Sequence, residues 1–353
     1  MNRNRPLRSA FRCGAAVLVF LASRADRARA SDVGDELTLG EIRSGGTATP
    51  FWSDRLDGAV DLSDQVALDL SAGLTHYSQS PQSRPGDILQ FGAGTSWLVN
   101  DHLALDADVF VSPQNMSVER GVPVTATRMV QGRTVSRTAI GAERDKTSSY
   151  GFAIGADYDT AGDSDAESAV GLSLAATSYS TTQRQRARTQ TMFGDPERAS
   201  LWQWRLLGSF TETLWRETDL GLAAAYYFYS RDPSQSGYYG TAVFGRSVSD
   251  AIPVEPLEFS IRPSVAQSFG PFRLRGYVQY GRYRESGDYS ELGGIKAQYK
   301  FSHMVRAWLS GSVQRNSLTE QPAMNAAMAA ASQTQTHYEL WILWASVGAR
   351  IVF

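Results

Sequence analysis

The 353-residue chain has one cysteine, four histidines and no apolar run near the roughly 18 residues that a membrane-spanning helix needs. The cysteine, Cys13, falls within the first 30 residues. A chain that loses that segment has no disulfide framework and no thiolate metal site. The P-loop, the Rossmann fingerprint, H-E-x-x-H and the EF-hand loop are absent too. These absences leave no sequence ground for a cofactor, a bound metal or a nucleic-acid partner, and none is expected.

The first 30 residues have the make-up of an export signal. Arg3, Arg5, Arg8 and Arg12 precede the apolar run Cys13 to Ala22, and Ala28-Arg29-Ala30 offers a small-residue cleavage site. This segment carries seven Arg and one Asp, so residues 31–353 hold 27 basic and 35 acidic side chains, a formal charge of −8. Two units follow: 1–30 as a cleaved signal peptide and 31–353 as the mature fold.

What the mature chain has in abundance is alternation. Trp341, Leu343, Ala345, Val347, Ala349, Ile351 and Phe353 form one set at a spacing of two, against Ser346, Gly348 and Arg350. Such a period means a strand with one dry and one wetter face. The pattern recurs in Val66–His76, Leu89–Trp97, Leu103–Val111, Gly151–Asp157, Val170–Thr177 and Trp202–Thr211. It continues in Leu220–Arg231, Leu257–Val265, Phe272–Tyr280, Ile295–Phe301 and Val305–Gln314. Each segment has about the 10 residues that a tilted membrane strand needs.

The last strand, ending on Phe353, resembles the closing strand of bacterial outer-membrane β-barrels. That resemblance implies Phe353 as the signal read by the barrel-assembly machinery, with outer-membrane lipid and lipopolysaccharide as surroundings. The fold class expected is all-β: a transmembrane up-and-down antiparallel barrel in the bacterial outer membrane. Twelve clear strands, Trp52–Leu62 and a weaker Glu36–Arg43 give about 14, with 12 as the alternative. Short turns alternate with long connections, Ser112–Lys146, Ser180–Arg198, Ser230–Ala251 and Asn316–Gln335 among them, as in barrels with short periplasmic turns and long outer loops. Within them, Val122–Met129 and Arg133–Ile140 flank Gln131-Gly132 as a hairpin. Ala323–Ala331 reads as a short helix, with a capping box at Ser317 and Glu320.

Two sets of residues carry candidate chemistry. By strand phase, Asp57, Asp61, Asp69, Asp106, Asp108 and Asp157 line the pore from the first half of the chain. Arg205, Arg231, Arg262, Arg273, Arg275, Lys296, Lys300, Arg306 and Arg350 line it from the second. Arg55 and Glu258 are the inward exceptions. In a closed barrel these halves form opposite walls, which predicts a transverse field across a water-filled lumen. The second set is His76, Ser78 and Asp87, in phase on the lipid side. It resembles the His-x-Ser of outer-membrane lipid A deacylases and phospholipases, with Gln79 where those families usually have Asn, and it implies acyl transfer as an alternative chemistry. The expected function is a porin or channel for small hydrophilic or charged solutes, without enzyme activity. A rim acyl hydrolase and a plugged structural or adhesive barrel are the alternatives.

Overall fold

The computed structural model describes residues 31–44, 47–77, 83–84, 88–130, 133–160, 167–187, 197–214, 217–230, 257–284, 288–320 and 336–353. Its strands in chain order are β1 (Ser31–Ser44), β2 (Thr47–Asp61), β3 (Val66–Tyr77), β4 (Ser83–Arg84) and β5 (Ile88–Leu98). There follow β6 (Leu103–Val130), β7 (Arg133–Asp159), β8 (Glu167–Ala187), β9 (Glu197–Leu214) and β10 (Thr218–Tyr229). The chain closes with β11 (Leu257–Phe269), β12 (Phe272–Tyr283), β13 (Tyr289–Lys300), β14 (Val305–Glu320) and β15 (Thr336–Val352).

Every long strand pairs antiparallel with its chain neighbours, and β1 closes the ring on β15 from Asp32 opposite Val352 to Ser44 opposite Leu340. The two-residue β4 lies beside β6 at Glu119 and Val118. The other strands form a closed 14-stranded barrel, the expected count, with the weakly alternating Glu36–Arg43 inside β1. No helix occurs among the described residues.

Closure explains why alternation runs round the whole chain. A barrel has no free edge, so every backbone donor and acceptor within the membrane is paired and one face of every strand can meet lipid. The apolar phase does face outward: Val278 is 60 % exposed and Leu309 61 %. Aromatics gather toward one rim of this surface. Tyr150 and Trp202 meet edge to face with centroids 5.7 Å apart, and Trp202 stacks on Trp204 at 6.3 Å. Ala176, between Phe152 and Trp204 in the register, is fully buried beneath them.

The chain's ends and its short turns share the other rim. Phe269-Gly270-Pro271-Phe272 is a two-residue turn in which Gly270 has φ of 58°, a conformation that strains any residue with a Cβ. Asn100 Oδ1 accepts from the backbone N–H of His102 and Leu103 in another. In an outer-membrane barrel the short turns mark the periplasmic end.

Three details differ from expectation. β6 and β7 are 28 and 27 residues long, so most of Ser112–Lys146 is continuous strand. The hairpin flanking Gln131-Gly132 is present, with Val130 opposite Arg133. Ser317 and Glu320 lie inside β14 and are no helix cap, because strand pairing with Glu339 and Thr336 claims that segment. The helix expected at Ala323–Ala331 and the export signal at 1–30 lie outside the described residues.

Candidate functional site

The inner wall divides by height. In its outer half Phe51, Ile88, Leu201, Leu340 and Ile342 are buried, with Asp288 buried beside Tyr283. Between them runs a polar network in which the Tyr283 hydroxyl donates to Asn316 Oδ1 at 2.7 Å. Gln314 Nε2 donates to the same oxygen at 2.8 Å and to the Ser290 hydroxyl at 3.1 Å. This network satisfies the Tyr283 hydroxyl, the Asn316 oxygen and the Gln314 amide nitrogen, while Gln314 Oε1 is buried without a hydrogen-bond partner.

Most of the inward-phase charges lie in the other half, and the strand register gives the neighbours of each described residue of the expected set. One arc, β1 to β7, carries Asp57, Asp61, Asp69, Asp106, Asp108 and Asp157. Asp69 and Asp108 flank Gly94 in the register, and Asp106 has Asp108 and Asp157 as charged neighbours. Asp32 and Glu36, not picked out by sequence phase, belong to the same arc. They lie on the inward phase of β1, where Gly34 faces both Asp57 and Arg350. Arg55 is inward as expected, opposite Glu36 and Gly73.

The facing arc, β11 to β15, carries Arg262, Arg273, Arg275, Lys296, Lys300, Arg306 and Arg350. Arg275 lies opposite Lys296, and Arg306 lies between Lys300 and Arg350. Arg205 is inward on β9, opposite Ala175 and Tyr227. Arg231 lies outside the described residues.

Glu258 is a correction. A bulge between Leu257 and Phe259 sets two β11 residues against one on β12. The extra residue reverses the phase, so Leu257 turns inward against Gly281 and Glu258 pairs with Arg282 at 3.8 Å. The basic arc thereby loses the inward carboxylate that simple alternation assigned to it.

Where β15 meets β1, ion pairs join the arcs: Arg350 of β15 pairs with Asp57 of β2 and, at 3.7 Å, with Asp32 of β1. Beside the basic arc, Arg273 of β12 pairs with Asp219 of β10. Within the arcs the supports differ. Lys296 Nζ lies 4.6 Å from the Trp308 ring centroid, and Trp308 Nε1 donates to Glu36 Oε2 at 2.8 Å. Arg262 lies 5.9 Å from the centre of Tyr277, whose hydroxyl hydrogen-bonds Ser312 at 3.0 Å. On the acidic side Asp108, Asp106 and Asp157 recline against Gly94, Gly155 and Gly171 of the neighbouring strands. Their carboxylates lie along the wall, and this leaves room at the axis.

On the outer surface His76 lies opposite Trp52, with ring centroids 5.6 Å apart. Ser78 and Asp87 are outside the described residues. No group of three or more metal-binding side chains occurs among the described residues. Sequence phase missed one outward feature: Asp54 hydrogen-bonds Asp35 on the lipid side of β1 and β2.

No protein-family model matches the chain, and no curated protein matches it in sequence. Solved barrels do resemble it in fold. The CymD monoaromatic hydrocarbon channel superposes with a TM-score of 0.55 at 9% identity over 96% of this chain and 93% of that one. A FadL homologue of Pseudomonas aeruginosa gives 0.56 at 11% identity over 93% and 90%. The toluene transporter TodX of P. putida gives 0.52 at 11% identity, again over 93% and 90%. At these identities the likeness is one of fold: that of outer-membrane barrels.

Proposed function

We propose that the protein is an outer-membrane channel for small hydrophilic or charged solutes, which cross a lumen polarised between its acidic and basic arcs. The observation that carries this reading is the ion pairing of Arg350 with Asp57 and Asp32 where the basic arc meets the acidic one. Fixed charges of opposite sign across a narrow space create a transverse field that orients dipolar solutes and concentrates anions along one wall and cations along the other. The glycine-seated carboxylates support an open passage at this level.

A second reading has its own support. The outer half of the inner wall carries Phe51, Leu201, Leu257 and Ile342, and the solved barrels of like fold include channels for monoaromatic hydrocarbons. Passage of small aromatic hydrocarbons would use that apolar band.

Refolded protein in a planar bilayer separates the two. The polarised-channel reading expects steady ionic conductance that changes ion preference with salt concentration. Absence of conductance, together with toluene uptake into proteoliposomes, would replace it with the second reading.

A further inference from the structure

The cations of the basic arc differ in what surrounds them. Arg350 is matched by Asp57 and Asp32, and Arg273 by Asp219. Arg262, Arg275 and Lys296 have no carboxylate within ion-pair distance among the described residues. Each stands in the phase opposite to the exposed apolar residues of its own strand: Ile261 and Val265 on β11, Val278 and Tyr280 on β12, Ile295 and Tyr299 on β13. Glu36 is a charged neighbour of Lys296, but its Oε2 accepts from Trp308 Nε1 at 2.8 Å and it forms no ion pair with the lysine.

These three cations are also close together. Arg275 Nη2 donates to the Ser264 hydroxyl at 3.4 Å, which brings it to the stretch of β11 where Arg262 stands two residues away. Arg262 is a charged neighbour of Arg275. On the other side of β12, Lys296 lies directly opposite Arg275, and such cross-strand pairs have Cβ atoms about 4.5–5.5 Å apart. The wall beside them is small: Ala223 is opposite Arg262, Ala266 opposite Arg275 and Ser310 opposite Lys296. Like charges directly opposite are unfavourable unless an anion lies between them. A guanidinium is a planar fork that holds an oxyanion through two parallel hydrogen bonds. The Ser264 hydroxyl, accepting from Arg275, keeps its own proton to give to an acceptor.

We infer that Arg262, Ser264, Arg275 and Lys296 form a binding site for a small dianion bearing carboxylate or phosphate groups. Arg262 and Arg275 hold one oxyanion between their guanidiniums, and Ser264 donates to it. Lys296, across β12 from Ser264, takes the second negative charge. Two aromatic rings fix the outer cations: Tyr277, tied to Ser312, lies under Arg262, and Trp308, tied to Glu36, lies under Lys296. Arg273 is excluded by its pair with Asp219. Lys300 stands four residues beyond Lys296 toward the short turn, about 13 Å at about 3.3 Å per residue, and contributes to the field alone. The inference rests on the polarised-channel reading for its water-filled lumen, and it gives that channel a preferred class of solute.

The test uses the full chain refolded in detergent and titrated by calorimetry with inorganic phosphate at pH 8, succinate and benzoate. Each variant is first shown to fold by its faster migration on an unboiled gel. The dianions bind saturably, and benzoate, with a single charge, binds about tenfold more weakly or worse. Tighter binding of succinate assigns the site to dicarboxylates, and tighter binding of phosphate to phosphate groups; either result supports it. R262Q/R275Q lowers the affinity for all three anions by about tenfold or more, as loss of charged hydrogen bonds requires. K296Q weakens the dianions and leaves benzoate within about twofold, because the second charge alone is unmatched. K300Q/R306Q removes the same charge from the same wall and weakens the dianions by no more than about twofold, since screening limits its reach. Equal losses in the two double variants would reduce the effect to the summed charge of the wall and overturn the inference. Benzoate binding as tightly as the dianions would overturn it too. Planar-bilayer recording keeps this inference distinct from the channel reading. A conducting, ion-selective protein that binds no dianion removes the site and leaves the channel. A protein that binds dianions in titration but does not conduct keeps the site and removes the channel.

Discussion

The two arcs of the inner wall hold opposite charges by different means. The acidic arc uses short side chains seated on glycine: Asp106 against Gly155, Asp157 against Gly171 and Asp108 against Gly94. The basic arc uses long side chains propped on aromatics, Lys296 on Trp308 and Arg262 on Tyr277. Carboxylates held this way stay close to the wall, whereas the stems of Arg and Lys extend further into the lumen.

The largest expected effect tests how rigid the basic side is. A Cβ at Gly348 would meet the Trp308 ring and approach the Asp35 carbonyl oxygen to 2.7 Å. Neither can yield cheaply, since the ring is tied to Glu36 and the carbonyl is part of the sheet. Gly348→Val should destabilise the barrel by about 1–3 kcal/mol, read from urea unfolding in lipid vesicles. Gly311→Val, where nothing lies within 4 Å of the new Cβ, is the matched control and should stay within about 0.5 kcal/mol.

A smaller effect is expected on the acidic side. At Gly155 the nearest atoms belong to the end of the flexible Asp106 side chain. Gly155→Ala should leave stability within about 0.5 kcal/mol and lift that carboxylate off the wall. Ion selectivity should then move slightly toward cations at low salt. A stability loss as large as that of Gly348→Val would show that the two arcs are built alike. Smaller again, Asp219→Asn should release Arg273 from its ion pair and move selectivity slightly toward anions.

Much of this architecture was legible in the sequence. A period of two survives wherever one face meets lipid, so the strands, their number and the inward phase of Asp106, Asp108, Arg273 and Arg275 could all be read. Alternation fails where a bulge adds a residue, and Leu257 and Glu258 exchanged faces for that reason. Cross-strand facts were beyond reach without the register: the glycine seats and the ion pairs Arg350–Asp57 and Arg273–Asp219. Asp32 and Glu36 escaped because β1, with Asp35 and Glu41 in its outward phase, alternates poorly.

The central claim, a lumen polarised between two charged walls, is tested most directly by the reversal potential of Arg273→Glu/Arg275→Glu in a planar bilayer under a potassium chloride gradient. The double reversal should shift selectivity toward cations at low salt. The shift should fade as the screening length falls from about 30 Å at 0.01 M to about 3 Å at 1 M. Wild-type conductance with a reversal potential that the substitutions leave unmoved at low salt would contradict the account.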